Sequence, residues 1–460
     1  MKITGISVTP IYPKKIIGGS QKIFLDLLMG LDKRDHNVQI LSTKSNDLNE
    51  EFFIDTLLVK PYLNFRGSFP SIHQIPPFDL IKNTKIIENQ VQDSDVIYLH
   101  ADSLYLRPNL NISKIFRSIH DYIYEESILS TLLLSSKVTV VPSNYLKNCI
   151  ETIVLNSGIR DLEPVISIPN AITNNVSIKE KKFIKDLKKR SKRDLLVLFP
   201  HRPAPNKGLI EAIKIIKKLQ SRLINRRVKL LVPFNQNSIL PDESNYSFNS
   251  MRQIVSDYNV EDLVIMHEWL NSDEMPEFLS LGDVVICPGH FVESFGLIPL
   301  EAIYNGTPVV CYKVGALREL SDIPGIYQVT FGDIDVFVDS ILDAININES
   351  SMIEGQEYVR STYSLNSMIN SYEKLFLGEH NAFHRKTISN DLMVLAPWCH
   401  IEKKSIYNDY TSKFYNYPNL FKFFLHGNKI EIDLKKISSS DTLHDINLAI
   451  KDGCITKVIV

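Results

Sequence analysis

Two glutamates, Glu293 and Glu301, flank seven residues in the stretch ESFGLIPLE. An ionised carboxylate only accepts hydrogen bonds, so such a pair suits hydroxyl groups. Between them, Phe295-Gly296-Leu297 reads as the opening of a helix, with Glu301 about two turns inside it. The free N–H groups and positive dipole end of a helix start favour an anion such as phosphate. Arg202 and Lys207 share a second loop, PHRPAPNKG. There a guanidinium offers bidentate geometry, and an ammonium a point charge, to a diphosphate. An anion seat beside hydroxyl acceptors suits a sugar nucleotide. The plain alternative in each loop is solvated charge. Against it, Glu301 is followed by Ala302-Ile303 in the apolar part of its helix, and a buried carboxylate requires partners. The spacing does not reproduce paired carboxylates facing one bond, so these two are not read as acid and base.

The elements around these loops alternate strand and helix. Ile3–Val8 reads as a strand, followed by Gly18-Gly19 and a helical pattern at Ile23, Phe24, Leu27, Leu28 and Leu31. A glycine pair lets backbone approach a ligand at a helix start, although a plain strand-helix turn has the same appearance. No P-loop and no GxGxxG occur. Further strands are expected at NVQILST, FIDTLLVK, DVIYLHA, KIFRSIHD and KVTVVPS. A second series follows at LLVLFP, VKLLVPF, LVIMHEWL, DVVIC, PVVCY and IYQVTF. Two helical patterns should carry the chain on to about Gly378. Such alternation predicts two parallel sheets covered by helices, with ligands at the carboxyl ends of the strands. His120 sits at such an end, beside Asp121. A structural histidine and a ligand-binding one are both consistent with that place. Trp269 in HEWL reads as a packed aromatic near the cleft, and Ser272 as a helix N-cap. Ser143 and Cys149 lack the context of a nucleophile.

At 460 residues the chain exceeds one ordinary core. The reading is α/β with three parts. Residues 1–178 and 179–378 form two Rossmann-like domains, the last helix of the second crossing back toward the first. Residues 379–460 form a small, aromatic-rich α+β appendix. A hydrophobic share of 44% with 23% charged residues excludes a disordered chain. A net charge of −2 provides no general field for nucleic acid. Five scattered cysteines without CxxC argue against a disulfide framework or zinc, and for a reducing compartment. No apolar run approaches the roughly 18 residues needed to span a bilayer. A cytoplasmic protein is expected. The basic run Lys179–Arg193 is either a solvated linker or a patch for anionic lipid at the inner face of a membrane.

Five segments together resemble the retaining family-4 nucleotide-sugar glycosyltransferases of GT-B fold, over residues 1 to 378. They are GGSQKIFLDLL, RSIHD, VVPSNYLKNCI with SIPNAI, PHRPAPNKG, and ESFGLIPLE followed by NGTPVV and VGALREL. His201 stands where the family usually has glycine before the arginine, and Ala171 where it has glycine after the asparagine. The resemblance implies two domains facing a cleft and transfer from a nucleoside-diphosphate sugar, UDP-linked, to an acceptor hydroxyl. It implies that Arg202 and Lys207 bind the diphosphate and that the backbone of Phe295, Gly296 and Leu297 cradles phosphate and sugar, with Ser294 beside them. Glu293 would hold donor-sugar hydroxyls and Glu301 the ribose. Gly18 and Gly19 would approach the leaving phosphate, His120 would bond the sugar near its reacting carbon, and Trp269 would lie by the base. His120 and Glu293 are then the residues nearest the chemistry. Cations and amides would stabilise charge growing on the diphosphate, so no cofactor and no metal are expected. A sugar-nucleotide epimerase, another enzyme on the same fold and a non-catalytic binding scaffold remain open. The acceptor is unassigned: glycan, lipid-linked sugar, natural product or protein. Tyr62–Phe78 is a candidate acceptor loop or a plain surface loop.

Overall fold

The computed structural model describes residues 1–460 apart from 14–17, 46–47, 66–74, 103, 105–109, 160, 175–180, 192, 235–245, 380–385 and 426–428. Most of the candidate acceptor loop, and Lys179, Glu180 and Lys192 of the basic run, therefore lie outside the described residues. The chain forms two compact units, one of Met1–Pro169 with Met368–Val460 and one of Asn170–Ser367.

The first unit carries β1 (Lys2–Pro10), β2 (Asn37–Thr43), β3 (Phe52–Ile54), β4 (Leu57–Leu63), β5 (Val96–Leu99), β6 (Ile115–Ser118), β7 (Val138–Val141) and β8 (Val165–Ser167). Their order in the sheet is β3-β4-β2-β1-β5-β6-β7-β8. All neighbours are parallel except β3 and β4, which pair as a hairpin about Asp55, at φ +50°. The expected single strand FIDTLLVK is thus two. All four residues of β5, β6 and β7 are buried, as befits strands covered on both faces.

The second unit holds β9 (Asp194–Leu198), β10 (Arg227–Phe234), β11 (Val264–Glu268), β12 (Val284–Cys287), β13 (Val309–Tyr312) and β14 (Ile326–Val329). They form an all-parallel sheet in the order β11-β10-β9-β12-β13-β14. In both sheets the order reverses beside the first strand, between β1 and β5 and between β9 and β12. Those two reversals open crevices at the carboxyl ends of the strands.

Three helices, not two, follow β14: Ile334–Ala344, Glu349–Thr362 and Leu365–Leu377. The last one explains why the unit boundary falls at 368 and not at 378. Tyr372 and Phe376 pack edge-on against Tyr98 and Phe116 of the first sheet. Glu373 bonds Arg34 at 2.6 Å and His36 at 2.8 Å. A side chain at Gly30 would collide with Ile369, its Cβ lying 2.1 Å from Cδ1.

Residues beyond 385 belong to the first unit rather than standing as a third. They form β15 (Ile388–Leu395), β16 (Cys399–Glu402), β17 (Ser405–Asn408), β18 (Lys413–Tyr415), β19 (Phe424–Leu425), β20 (Lys429–Asp433), β21 (Ile455–Ile459) and the helix Ser440–Lys451. The strands make antiparallel sheets of four, β19-β20-β15-β21, and three, β16-β17-β18. This segment has its own apolar core around Met393, Ile406, Leu420, Ile432 and Ile446. It seats on the helix Asn144–Ser157. Tyr145 donates to Asp409 at 2.9 Å, and Lys386 pairs with Glu151 at 2.7 Å.

The described part of the basic run is a short helix, Lys182–Lys188, that docks on the second unit through Ile184 and Leu187. Its charges meet acids of that unit: Lys181 with Glu274, Lys188 with Glu277 and Arg190 with Asp283. No described helix is long and apolar enough to cross a membrane.

Candidate functional site

In the second unit, the loops after β9 and β12 meet at the sheet's reversal. They touch through backbone. A Cβ at Gly208, at φ +82°, would lie 2.4 Å from the Pro288 carbonyl oxygen, and one at Gly289 would lie 2.5 Å from that of Asn206. His290 and Phe291 both donate N–H to the Asn206 carbonyl at 3.0 Å. Only glycine permits that closeness at both positions. The register places Lys207 against the other loop. Its Nζ is 2.6 Å from Glu293 Oε1 and 3.6 Å from the centre of the Phe291 ring. Lysine and glutamate keep 15% and 26% of their side-chain surface open, so the pair remains within a ligand's reach. Arg202, half-buried, starts the same loop.

The helix after Glu293 runs Leu297–Tyr304 and begins at Gly296, at φ +98°, with no side-chain cap. Phe295 is buried in the core against Tyr363, so only its backbone is available to a ligand. Glu301 is the fifth residue of the helix, one turn inside and not two, about 6 Å along the axis from Leu297 at 1.5 Å per residue. The stretch VGALREL holds the first glutamate in place. Gly315, at φ +58°, lets its backbone approach to where a Cβ would be 2.4 Å from the Glu293 carbonyl, which accepts the Ala316 N–H at 2.7 Å.

His201 bridges the reversal. Its Nε2 lies 3.3 Å from Cys287 Sγ, and burial, helped by the Lys207 charge, holds it down at about 4. It is therefore neutral, a spacer between the two strand ends. The sequence marked it only as an unusual residue before Arg202, although its place just past β9 was the available signal. Trp269 lies past the edge strand β11, with 41% of its surface exposed, and is not the packed aromatic expected. Ser272 caps nothing. The next helix starts at Met275 after Glu274, whose carboxylate accepts the Asn271 N–H.

The first unit has a matching crevice at its own reversal. Gly18, at φ +101°, precedes the helix Gly19–Asp32, which also lacks a side-chain cap. Among the described residues beyond its chain neighbours, no atom lies within 4 Å of where a Gly18 Cβ would be. The next residue but one, Ser20, places Oγ 2.9 Å from His100 Nε2. His100 follows β5, and its ring lies 4.5 Å from that of His120, past β6. Burial holds His120 at about 4. His100 is lowered further, by burial and then by His120, with Ser20 acting the other way. The structure thus joins Gly18, Gly19 and His120 in one place and adds His100, Ser20, Ser118 and Tyr98, which sequence reading missed. The repeated signal was a histidine just beyond a buried apolar strand. Ser143 is the N-cap of Asn144–Ser157, accepting the Leu146 N–H at 3.1 Å. Among the described residues, no group of three His, Cys, Asp or Glu side chains is placed to hold a metal ion.

Residues 180–355, which contain both loops of the second crevice, match the family described as glycosyl transferases group 1. The chain is 22% identical to N-acetyl-alpha-D-glucosaminyl L-malate synthase of Bacillus anthracis over 391 residues, 79% of this chain and 94% of that protein. It is 24% identical to lipopolysaccharide 1,2-N-acetylglucosaminetransferase of Salmonella typhimurium over 183 residues, 39% of this chain and 47% of that one. Among solved structures it is similar to sucrose-phosphate synthase of Thermosynechococcus elongatus, with TM-score 0.63, 16% identity and coverage of 82% and 98%. It is also similar to Anabaena HepE in complex with UDP-glucose, with TM-score 0.61, 15% identity and coverage of 82% and 100%. The fold is of GT-B type, and residues 180–355 are similar to the group 1 glycosyl transferases.

Proposed function

We propose that this protein moves a sugar from a nucleoside-diphosphate sugar, UDP-linked, to an acceptor hydroxyl, with retention of anomeric configuration and without a metal. The observation that carries the reading is the Lys207–Glu293 pair at 2.6 Å, set at the sheet's reversal beside an uncapped helix start. A cation, open amides and a carboxylate are there combined in one crevice. Lys207 and Arg202 take the diphosphate, and the amides of Phe295, Gly296 and Leu297 take phosphate and sugar oxygens. Glu293 accepts from sugar hydroxyls, Glu301 from the ribose, and Trp269 lies toward the base. For the first unit, the family resemblance assigns Gly18 and Gly19 the leaving phosphate and His120 a bond to the sugar.

The chemistry follows from charge. As the glycosidic bond breaks, positive charge grows on the anomeric carbon and negative charge on the diphosphate. Lys207, Arg202 and the helix dipole then interact more strongly with the transition state than with the bound donor. Glu293 keeps Lys207 neutralised and oriented until the donor's own anion arrives. Retention rests on the family resemblance. In front-face attack, the leaving phosphate accepts the acceptor's proton and no protein nucleophile is required. Support for a uridine nucleotide comes from HepE, solved with UDP-glucose. The relatives' names span a malate and a lipopolysaccharide, so the acceptor is proposed only as a hydroxyl compound.

Screening nucleotide sugars by ligand-induced thermal stabilisation fixes the donor first. Transfer is then measured after chelation, and in Lys207→Ala and Glu293→Ala. Both variants should fold and lose transfer, while the chelated wild type keeps it. Full transfer in both variants overturns the site. Activity lost to chelation and restored by a divalent cation overturns its metal-free character. An isomerised donor, formed without acceptor, means an epimerase instead.

A further inference from the structure

The polar cluster of the first unit has a definite hydrogen-bond order. Ser118 Oγ, at the end of β6, has four polar neighbours. The Ala101 N–H donates to it at 3.1 Å, and the Tyr98 hydroxyl donates at 3.0 Å. His120 Nε2 lies at 3.1 Å and His100 Nδ1 at 3.4 Å. A hydroxyl has two lone pairs and one proton. The two donors fill the lone pairs, so the serine's own proton must go outward. The nearer ring nitrogen, His120 Nε2, receives it. A neutral imidazole that accepts at Nε2 carries its proton on Nδ1.

The rest of the cluster closes consistently. With its proton given to Ser118, the Tyr98 oxygen can only accept, from His100 Nδ1 at 3.2 Å and from the Tyr372 hydroxyl at 3.4 Å. His100 Nε2 is then the acceptor for the Ser20 hydroxyl at 2.9 Å. Each group uses its proton once. His120 Nδ1 has no protein partner among the described residues, and the residue keeps 7% of its surface open.

We propose that Ser118 and Tyr98 are positioning residues that lock His120 as its Nδ1–H tautomer, making it a hydrogen-bond donor to a ligand oxygen and not a proton carrier. Calling that oxygen a sugar hydroxyl rests on the function proposed above; the lock itself does not. Burial supports the lock by keeping both rings neutral at pH 7.

The test is long-range proton–nitrogen correlation NMR on the full chain labelled with 15N-histidine at pH 7, with His120 assigned by its loss in His120→Gln. The expected pattern has Nδ1 in the protonated range and Nε2 in the unprotonated range. Nε2–H, or an averaged mixture, in the wild type overturns the proposal. In Tyr98→Phe and Ser118→Ala, each checked for wild-type circular dichroism, the His120 signals should move toward a tautomer mixture. Unmoved signals in both folded variants also overturn it, because a merely structural serine would leave the tautomer alone. This readout needs no enzymatic turnover, so it stands or falls separately from the transferase reading. Where transfer is measurable, its pH profile from 5 to 8 should contain no limb that His120→Gln abolishes, and such a limb would contradict the proposal.

Discussion

The two sheet reversals share topology and differ in chemistry. At β9/β12 the crevice is built of charge, with a lysine and a glutamate at 2.6 Å and an uncapped helix start. At β1/β5 it is built of neutral groups, two histidines, two serines and a tyrosine, bonded to one another. Burial accounts for the division. The charged pair keeps part of its surface open, so solvent shares the cost of ionisation. The histidines are nearly closed off, where the charged form is disfavoured. A charged crevice suits a diphosphate, and a neutral one with a fixed proton order suits hydroxyls.

The sharpest way to break this comparison is Lys207→Ala. It should lower transfer by about 10²–10³, the scale for removing one preorganised charge stabiliser. Its effect on stability should stay at or below about 1 kcal/mol, because the ion pair is partly exposed. A rate within a factor of three of wild type would remove charge from the account of the second crevice.

Acid should next separate the two. His120 has an ordinary value of 6.5 and about 4 when folded. Its neutral form therefore contributes stability that is complete above 6.5 and is lost as the pH falls toward 4. At about 1.4 kcal/mol per unit, the loss is a few kcal/mol. Urea midpoints at pH 7, 5.5 and 4.5 should fall, and His120→Gln should flatten that fall. Equal slopes for the two proteins would contradict a neutral cluster.

Glycine substitutions compare the crevices again at smaller scale. Gly208→Ala and Gly18→Ala both force a positive φ, at about 1–3 kcal/mol each. Gly208 also places a Cβ 2.4 Å from a backbone oxygen, whereas at Gly18 no described residue beyond its neighbours comes within 4 Å. Gly208→Ala should lower the melting temperature more and weaken nucleotide binding, as calorimetry would show. The smallest effect should come from Tyr145→Phe, which removes the bond to Asp409 beneath the C-terminal segment. About 1 kcal/mol is expected, with nucleotide binding unchanged.

Local pattern made much of this legible. Buried strands such as VTVV and VVIC are apolar throughout because both sheet faces are covered. Gly208, Gly296 and Gly315 mark turns at positive φ. Glu293, Lys207 and Arg202 are found by residue type at a strand-to-helix turn. What escaped reading was long-range. His100 looked like any strand-end residue, since its partners Ser20, Tyr98 and Ser118 are brought to it by strand order and not by sequence spacing. The third helix after β14 was also missed.

Sequence alone determined the fold class, the charged loops and the ESFGLIPLE helix start, because each depends on neighbours within about one turn or one strand. Tertiary structure decided that Lys207 neutralises Glu293 across 86 residues of chain. It also decided that residues beyond 385 seat on the first unit and that His120 stands in a closed hydrogen-bond order. Contacts between distant segments depend on sheet order and register. Those are selected by the packing of the whole core, which no local window contains.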